Sequence, residues 1–358
     1  MSKDLFRNLL PIALCAIGSL WADADQDLNS RVTILESQMS EVSMKSPFGN
    51  FGAKTASASP LINGYDVFVS ADFLYWNLQE GGTDYAYSSP NTTSIFPLKG
   101  KRKHLEFDWD PGFRTGLGFV FDHDRWDAYF NFTWFQTSHR ASAEERSDRR
   151  LFSLLAPYPS GLQSAKLSWK VHFYTLDFEL GRHFFVSRFL SLRPFFGLKG
   201  AWIDQHRHTR YTDRIDSDIF IKTRGRCEFR GIGPWAGING DWHFCRNFSF
   251  FGRVAGSIMW GDFDVHEKQT GNNHTLWFDY DLDKDRIVPM VQFQLGFCWE
   301  TNLGHDRYHL AFNLSYEDQY WWQQNQFPYY PGTNIPKLNP INEDLSLQGL
   351  TFDVRLDF

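Results

Sequence analysis

The chain has 358 residues, a formal net charge of −6, 22% charged side chains and a mean hydropathy of −0.42. The acidic balance argues against a nucleic-acid binder, which presents a basic face, and no stretch is long and apolar enough to be a spanning helix. The aromatic share of 18%, with 35 Phe, 14 Trp and 14 Tyr, exceeds what a soluble core needs and fits a transmembrane β-barrel, which averages to polar because only alternate residues meet lipid.

Residues 1–22 read as an export signal. Lys3 and Arg7 supply the positive region, Leu9 to Leu20 the apolar stretch, and Ala22 the cleavage site. Cys15 lies inside it behind Leu14, where a lipidation signal wants a small residue, so it is expected to be removed with the signal. Cys227, Cys245 and Cys298 remain, and an odd number in an exported chain leaves at least one free or intermolecular.

Residues 23–45 carry a heptad seam of Leu28, Val32, Leu35, Met39 and Val42. A seam this short is unstable alone, so it predicts a periplasmic coiled coil stabilised by homotrimer formation; a lone amphipathic helix is the alternative. Residues 46–63, rich in Ser, Ala, Gly and Pro, form a linker.

From residue 64 to 358 a period of two dominates, predicting an all-β antiparallel barrel. The first strand shows Tyr65, Val67, Val69, Ala71, Phe73 and Tyr75 on one face against Asp66, Ser70 and Asp72. The second sets Phe113, Thr115, Leu117, Phe119 and Phe121 against Arg114, Gly116 and Gly118. The third sets Trp126, Ala128, Phe130, Phe132 and Trp134 against Asp127, Tyr129, Asn131 and Thr133. In the fourth, Leu167, Trp169 and Val171 alternate with Lys166, Ser168 and Lys170, but below Phe173-Tyr174 the apolar set becomes Tyr174, Leu176, Phe178 and Leu180. A β-bulge would account for that change of phase.

The fifth strand, Leu190 to Lys199, contains Pro194, which is unusual inside a sheet. The sixth pairs Ile232, Pro234, Ala236, Ile238 and Trp242 with inward glycines, and the seventh carries Phe248, Phe250, Val254, Ile258 and Trp260. The eighth, Ile287 to Trp299, alternates most cleanly; the ninth runs from Tyr308 to Glu317. The tenth ends the chain, with Leu350, Phe352, Val354, Leu356 and Phe358 opposite Thr351, Asp353, Arg355 and Asp357. A terminal aromatic after such a strand looks like the assembly signal of an outer-membrane barrel, read by the barrel assembly machinery.

Short connections alternate with long polar ones, at roughly 79–110, 140–163, 204–228, 262–285 and 318–345. That is the pattern of short periplasmic turns and long outer loops. Ten strands are predicted, with twelve as the alternative if Thr275–Tyr280 begins an extra hairpin.

Five runs together resemble the major outer-membrane protein family of Legionella and its counterparts in Chlamydia-related bacteria. They are Ser70–Asn77, Gly112–Gly118, Trp126–Trp134, Leu190–Asp204 and Gly233–Gly237. The similarity spans 64–358. It implies a pore-forming surface protein, with adhesion to a host ligand as a second role, and supplies no family site residues.

The residues themselves place Asp66, Asp72, Arg114, Asp127, Asp177, Glu179, Arg193, Lys199, Asp241, Arg253, Gln292, Gln294, Glu317 and Arg355 toward the lumen, with Glu300, Asp353 and Asp357. Such a lining sorts solutes by charge. The rival is that these groups pair and plug the barrel, since ten strands lie near the closed end of the size range. Inward glycines (Gly116, Gly118, Gly197, Gly231, Gly233, Gly237) are expected to leave space. A closed adhesin or structural barrel is the alternative function, with Asn91–Thr93, Trp321-Trp322 and Phe327–Pro331 as exposed contact segments or, for the tryptophans, girdle members. Membrane lipid and lipopolysaccharide are the expected partners; Lys99–Lys103 reads as a solvated loop, with contact to lipopolysaccharide or a host glycan as the alternative. His206 and His208 are expected to be solvated rather than metal ligands, and no cofactor is called for. Ser138, His139 and Asp148 lack a nucleophile motif, so an enzyme, an outer-membrane hydrolase, is a minor alternative.

Overall fold

The computed structural model describes residues 65–358 apart from 91–99, 122–125, 157–160, 188, 246, 273–274, 304–307 and 330–338. The export signal, the coiled-coil seam, the linker and Asn91–Thr93 lie outside the described residues.

Ten antiparallel staves form the wall: β1 (Tyr65–Glu80), β2 (Trp109–Phe121), β3 (Trp126–Glu144), β4 (Leu162–Arg182), β5 (Leu190–Asp213), β6 (Phe220–His243), β7 (Phe248–Thr270), β8 (Leu276–Leu303), β9 (Tyr308–Asn325) and β10 (Glu343–Asp357). Each pairs with its chain neighbours, and β1 pairs with β10 from Phe68–Asp357 to Glu80–Leu345, which closes the ring. Short strands at Asp84–Ser89, Lys101–His104 and Arg150–Ser153 are appended at the upper rim, the end opposite Phe358, and are not further staves. Thr275–Tyr280 simply enters β8.

Phe358 fastens the seam. Its N–H donates to the Val67 carbonyl at 2.9 Å, and the Val67 N–H donates to the Phe358 carbonyl at 3.1 Å. Deleting Phe358 removes both bonds and an outward ring, so the share of protein that reaches the folded, heat-modifiable form in vivo is expected to drop severalfold. Normal surface levels of the truncated chain would count against this role.

Closure leaves no sheet edge in the lipid, where an unpaired backbone group costs several kcal/mol. The outer face carries an apolar belt that includes Phe130, Leu176, Leu198, Ile232, Ile258, Phe293, Leu314 and Leu350, all exposed. Its upper border is a cross-strand row, Trp134–Tyr174–Trp202, continued by Trp260 on β7 and by Tyr75 stacked on Trp109 at 5.5 Å. Phe121, Trp242, Phe248, Tyr308 and Phe358 border it below.

Above the girdle the wall reverses its sidedness. On β4 the ladder to β3 runs unbroken from Ser164 to Arg182, so the expected bulge at Phe173-Tyr174 does not exist. Trp169, Val171 and Phe173 point inward with no exposed surface, while Lys166, Ser168 and Lys170 point outward. The pleat is continuous, and what changes is the solvent. Lipid surrounds the lower tier and draws apolar groups out; water surrounds the upper tier and drives them in.

The reversal also corrects the loop lengths. Most of 204–228 and 262–285 is strand, which ends at Asp213 and Thr270 and resumes at Phe220 and Leu276. Polar outward residues made these strands read as loops. Pro194 is accommodated because β5 passes from pairing with β4 at Gly181–Phe195 to the Phe184–Phe185 strand at Phe184–Leu192, leaving no partner residue on that side.

Candidate functional site

The lower lumen holds nearly every polar residue expected there, and it joins them into pairs. Arg114 on β2 donates from Nη2 to Glu317 Oε1 at 2.8 Å and from Nη1 to Asp72 Oδ2 at 3.3 Å. Glu317 also accepts from Gln292 at 2.6 Å and Gln319 at 2.8 Å. Arg193 donates through Nε to Asp127 at 2.9 Å and through Nη1 to Glu179 at 3.1 Å. Glu179 accepts as well from Arg253 and, at 3.2 Å, from Trp235 Nε1.

Lys199 Nζ sits 2.8 Å from both Asp177 oxygens and 4.4 Å from the Trp235 ring centre. Ser191 donates to Asp241 at 3.3 Å and Gln294 to Ser315 at 2.9 Å. Arg355 pairs with Asp357 at 2.6 Å, and His309 Nδ1 lies 2.9 Å from the same carboxylate. The side chain of Asp66 lies outside the described residues. The rival expectation of mutual pairing therefore holds for most of the lining.

The glycines do not leave free space. A Cβ on Gly116 would lie 2.3 Å from Tyr129 Oη, and one on Gly118 would lie 1.9 Å from the Phe68 ring. Phe68 and Tyr129 stack at 5.5 Å and occupy the room that those glycines vacate. A cavity of about 180 Å³ remains among Asp72, Arg114, Asn131, Glu179, Asn239 and Arg253. Asp72 Oδ1, Asn131 Oδ1, Asn239 Oδ1 and Arg253 Nε are buried there without a protein partner. A polar cavity of this size has room for several waters that would satisfy them.

Above this chamber an apolar stopper fills the barrel, and the sequence reading missed it. Trp76, Phe135, Trp169, Phe173, Trp321 and Phe327 are all 0% exposed. Trp76 packs on Phe135 at 5.8 Å, Phe173 on Trp321 at 5.5 Å and Trp169 on Phe327 at 5.4 Å. Arg207, paired with buried Glu267, lies over the Phe327 ring at 4.3 Å. Trp321 is thus part of the stopper and not of the girdle; Trp322 faces outward against Tyr320 at 4.9 Å. Phe327 is likewise a core residue, not a contact residue of an exposed loop. The signal was present in the alternation of Leu167, Trp169 and Val171 with lysines.

The remaining candidates do not assemble. Ser138 faces out, whereas His139 turns to Asp110 at 2.8 Å, so the two lie on opposite faces of β3. His206 and His208 face outward on β5. Cys227 and Cys298 are buried and Cys245 is exposed, and all three are free. Lys101–His104 forms an exposed rim strand, with Arg102 paired to Asp84 at 2.8 Å.

Comparison with known proteins places the barrel. The family described as Legionella pneumophila major outer membrane protein precursor matches residues 59–358. Among solved structures, the outer membrane protease OmpT of Escherichia coli is 6% identical with a TM-score of 0.39, covering 85% of this chain and 99% of that one. The Pseudomonas putida toluene transporter TodX is 8% identical with a TM-score of 0.30, covering 87% and 92%. A Pseudomonas aeruginosa FadL homologue is 8% identical with a TM-score of 0.27, covering 87% and 93%. No curated protein matches the chain. Because the family match takes in the wall from β1 to β10, the chain belongs to the Legionella major outer membrane protein family, whose barrels reside in the bacterial outer membrane.

Proposed function

We propose that the protein is a gated pore for small hydrophilic solutes or ions, closed at rest by the apolar stopper. The observation that carries this reading is the charged lower lumen. Burying ion pairs adds little stability, and apolar side chains of similar volume hold a core as well or better. A polar chamber kept inside a barrel narrow enough to be filled outright therefore favours a solute path. Apolar constrictions gate such paths by excluding water until they widen. The mixed lining of Asp72, Arg114, Glu179, Arg193 and Glu317 would then weigh solutes by charge and dipole.

A closed display barrel is the second reading, favoured by the complete burial of Trp169, Trp321 and Phe327. Planar-bilayer recording separates the two. The wild-type barrel is expected to give small, infrequent steps, and Trp321→Ala/Phe327→Ala a several-fold larger mean conductance. No step from either protein, with folding verified by heat-modifiable mobility, would overturn the pore in favour of display. Chromogenic esterase and peptidase screens are expected to be blank, and turnover in either would reopen the hydrolase alternative.

A further inference from the structure

Cations gather on the outer wall of β3 to β6, just above the aromatic girdle. The register stacks them in three cross-strand rows. Nearest the girdle are Lys170, His206 and Arg226; next come Arg140, His208 and Arg224; farthest are Lys166, Arg210 and Lys222. Lys166 stands directly opposite Arg210, and Arg210 opposite Lys222. Like charges placed opposite one another destabilise a sheet.

The cations of the lower lumen are neutralised by carboxylates, but most of these are not; Arg226, in the row nearest the girdle, is paired with Glu228. Arg140, Lys166, Lys170 and Arg224 have no carboxylate partner among the described residues. The patch has a clear border. Toward β7 and β8, Lys268 pairs with Asp279 at 2.9 Å and His266 with Asp281 at 2.5 Å. Toward the girdle, Arg230 pairs with Glu228 at 3.2 Å. His206 and His208 are held below the usual imidazole range, first by burial and then by Arg226 and Arg224 respectively, so the charge is carried by Arg and Lys.

We propose that this wall binds the phosphorylated head group of an outer-leaflet glycolipid, a lipopolysaccharide. Position selects the partner. The row through Lys170 lies four residues above Tyr174, roughly 10 Å along the membrane normal for tilted strands, which is the depth of the head-group layer. Extent agrees: four strands by three rows span roughly 14 by 13 Å, the scale of a sugar head group rather than a lone ion. Chemistry agrees too, since Arg224 offers a planar fork and Lys170 a point charge, the two donors suited to phosphate oxygens. A hollow on this wall is lined by Arg140, Ser168, Lys170, His206, His208 and Arg224. Bound phosphate would relieve the repulsion within the rows.

The test uses the full-length barrel in detergent, with binding read by thermophoresis. Purified lipopolysaccharide is compared with the same material after dephosphorylation and with heparin. Wild type is expected to prefer the phosphorylated form and to lose affinity as salt rises. Arg140→Glu/Lys170→Glu/Arg224→Glu is expected to weaken binding by about tenfold or more, with heat-modifiable mobility intact. Lys101→Glu/Lys103→Glu, at the rim, is expected to bind as wild type. If the triple variant fails to fold, Arg224→Gln is expected to show a loss of about threefold. Equal affinity for dephosphorylated material, or unchanged binding by whichever wall variant folds, would overturn the proposal. Tighter binding of heparin would overturn it in favour of a sulfated host glycan.

Discussion

Replacing Glu179 with glutamine is expected to destabilise the barrel by about 3–5 kcal/mol. The carboxylate is 0% exposed and accepts from Arg193, Arg253 and Trp235. Glutamine keeps the size and one acceptor but removes the charge. Arg193 retains Asp127. Arg253 has no other carboxylate partner among the described residues, and it becomes a partly buried, unpaired cation facing the rings of Phe195 and Trp235. The urea midpoint for loss of heat-modifiable mobility should fall accordingly. Glu179→Gln/Arg253→Met should recover a good part of the loss, because an apolar chain of like length removes the stranded charge. An unchanged midpoint for the single variant would show that water, not Glu179, solvates these guanidinium groups.

Gly118→Val is expected to cost about 3 kcal/mol by overpacking. A Cβ there falls within 1.9 Å of the Phe68 ring. The ring cannot step aside freely, since Tyr129 stacks on one side at 5.5 Å and the Arg355 guanidinium lies 3.6 Å from its centre. Adding Phe68→Ala should restore part of the stability, by giving the valine the volume that the ring held. If the valine variant unfolds at the wild-type midpoint, the lower lumen has more slack than its packing indicates.

The wall was legible in the sequence wherever one medium lay outside it. Ile287 to Trp299 and Leu350 to Phe358 alternate cleanly because their outward groups meet lipid throughout. The period of two says which residues share a face, but not which face looks inward. At Phe173-Tyr174 the medium changes while the pleat does not, and a local bulge was the wrong inference from a correct pattern. The same ambiguity hid the stopper. For Trp169 the outward Lys166 and Lys170 are the one mark of an inward aromatic above the girdle; Phe173 and Trp321 carry none. The lumen charges were legible as a set. Their pairing was not, because Arg114 and Glu317 are joined only by closure of the ring. The glycines misled for a related reason: Gly116 and Gly118 fall beside Tyr129 and Phe68 on neighbouring staves, and sequence spacing does not reveal the match.

The reversed upper tier bears on how the barrel reaches its place. Assembly begins from the periplasm, so the polar outer wall has to traverse hydrocarbon before it can stand clear of the far side. Arg140, Lys166, Lys170, Arg210, Lys222 and Arg224 all make that journey. A Lys or Arg on the lipid face at mid-depth costs about 2–4 kcal/mol, and six together form a barrier that spontaneous entry into a thick bilayer would rarely surmount. A machine that thins the membrane or threads hairpins one at a time removes that barrier. The oily interior would then gather only after its strands had crossed, sealing the cylinder from above as the last event of its biogenesis.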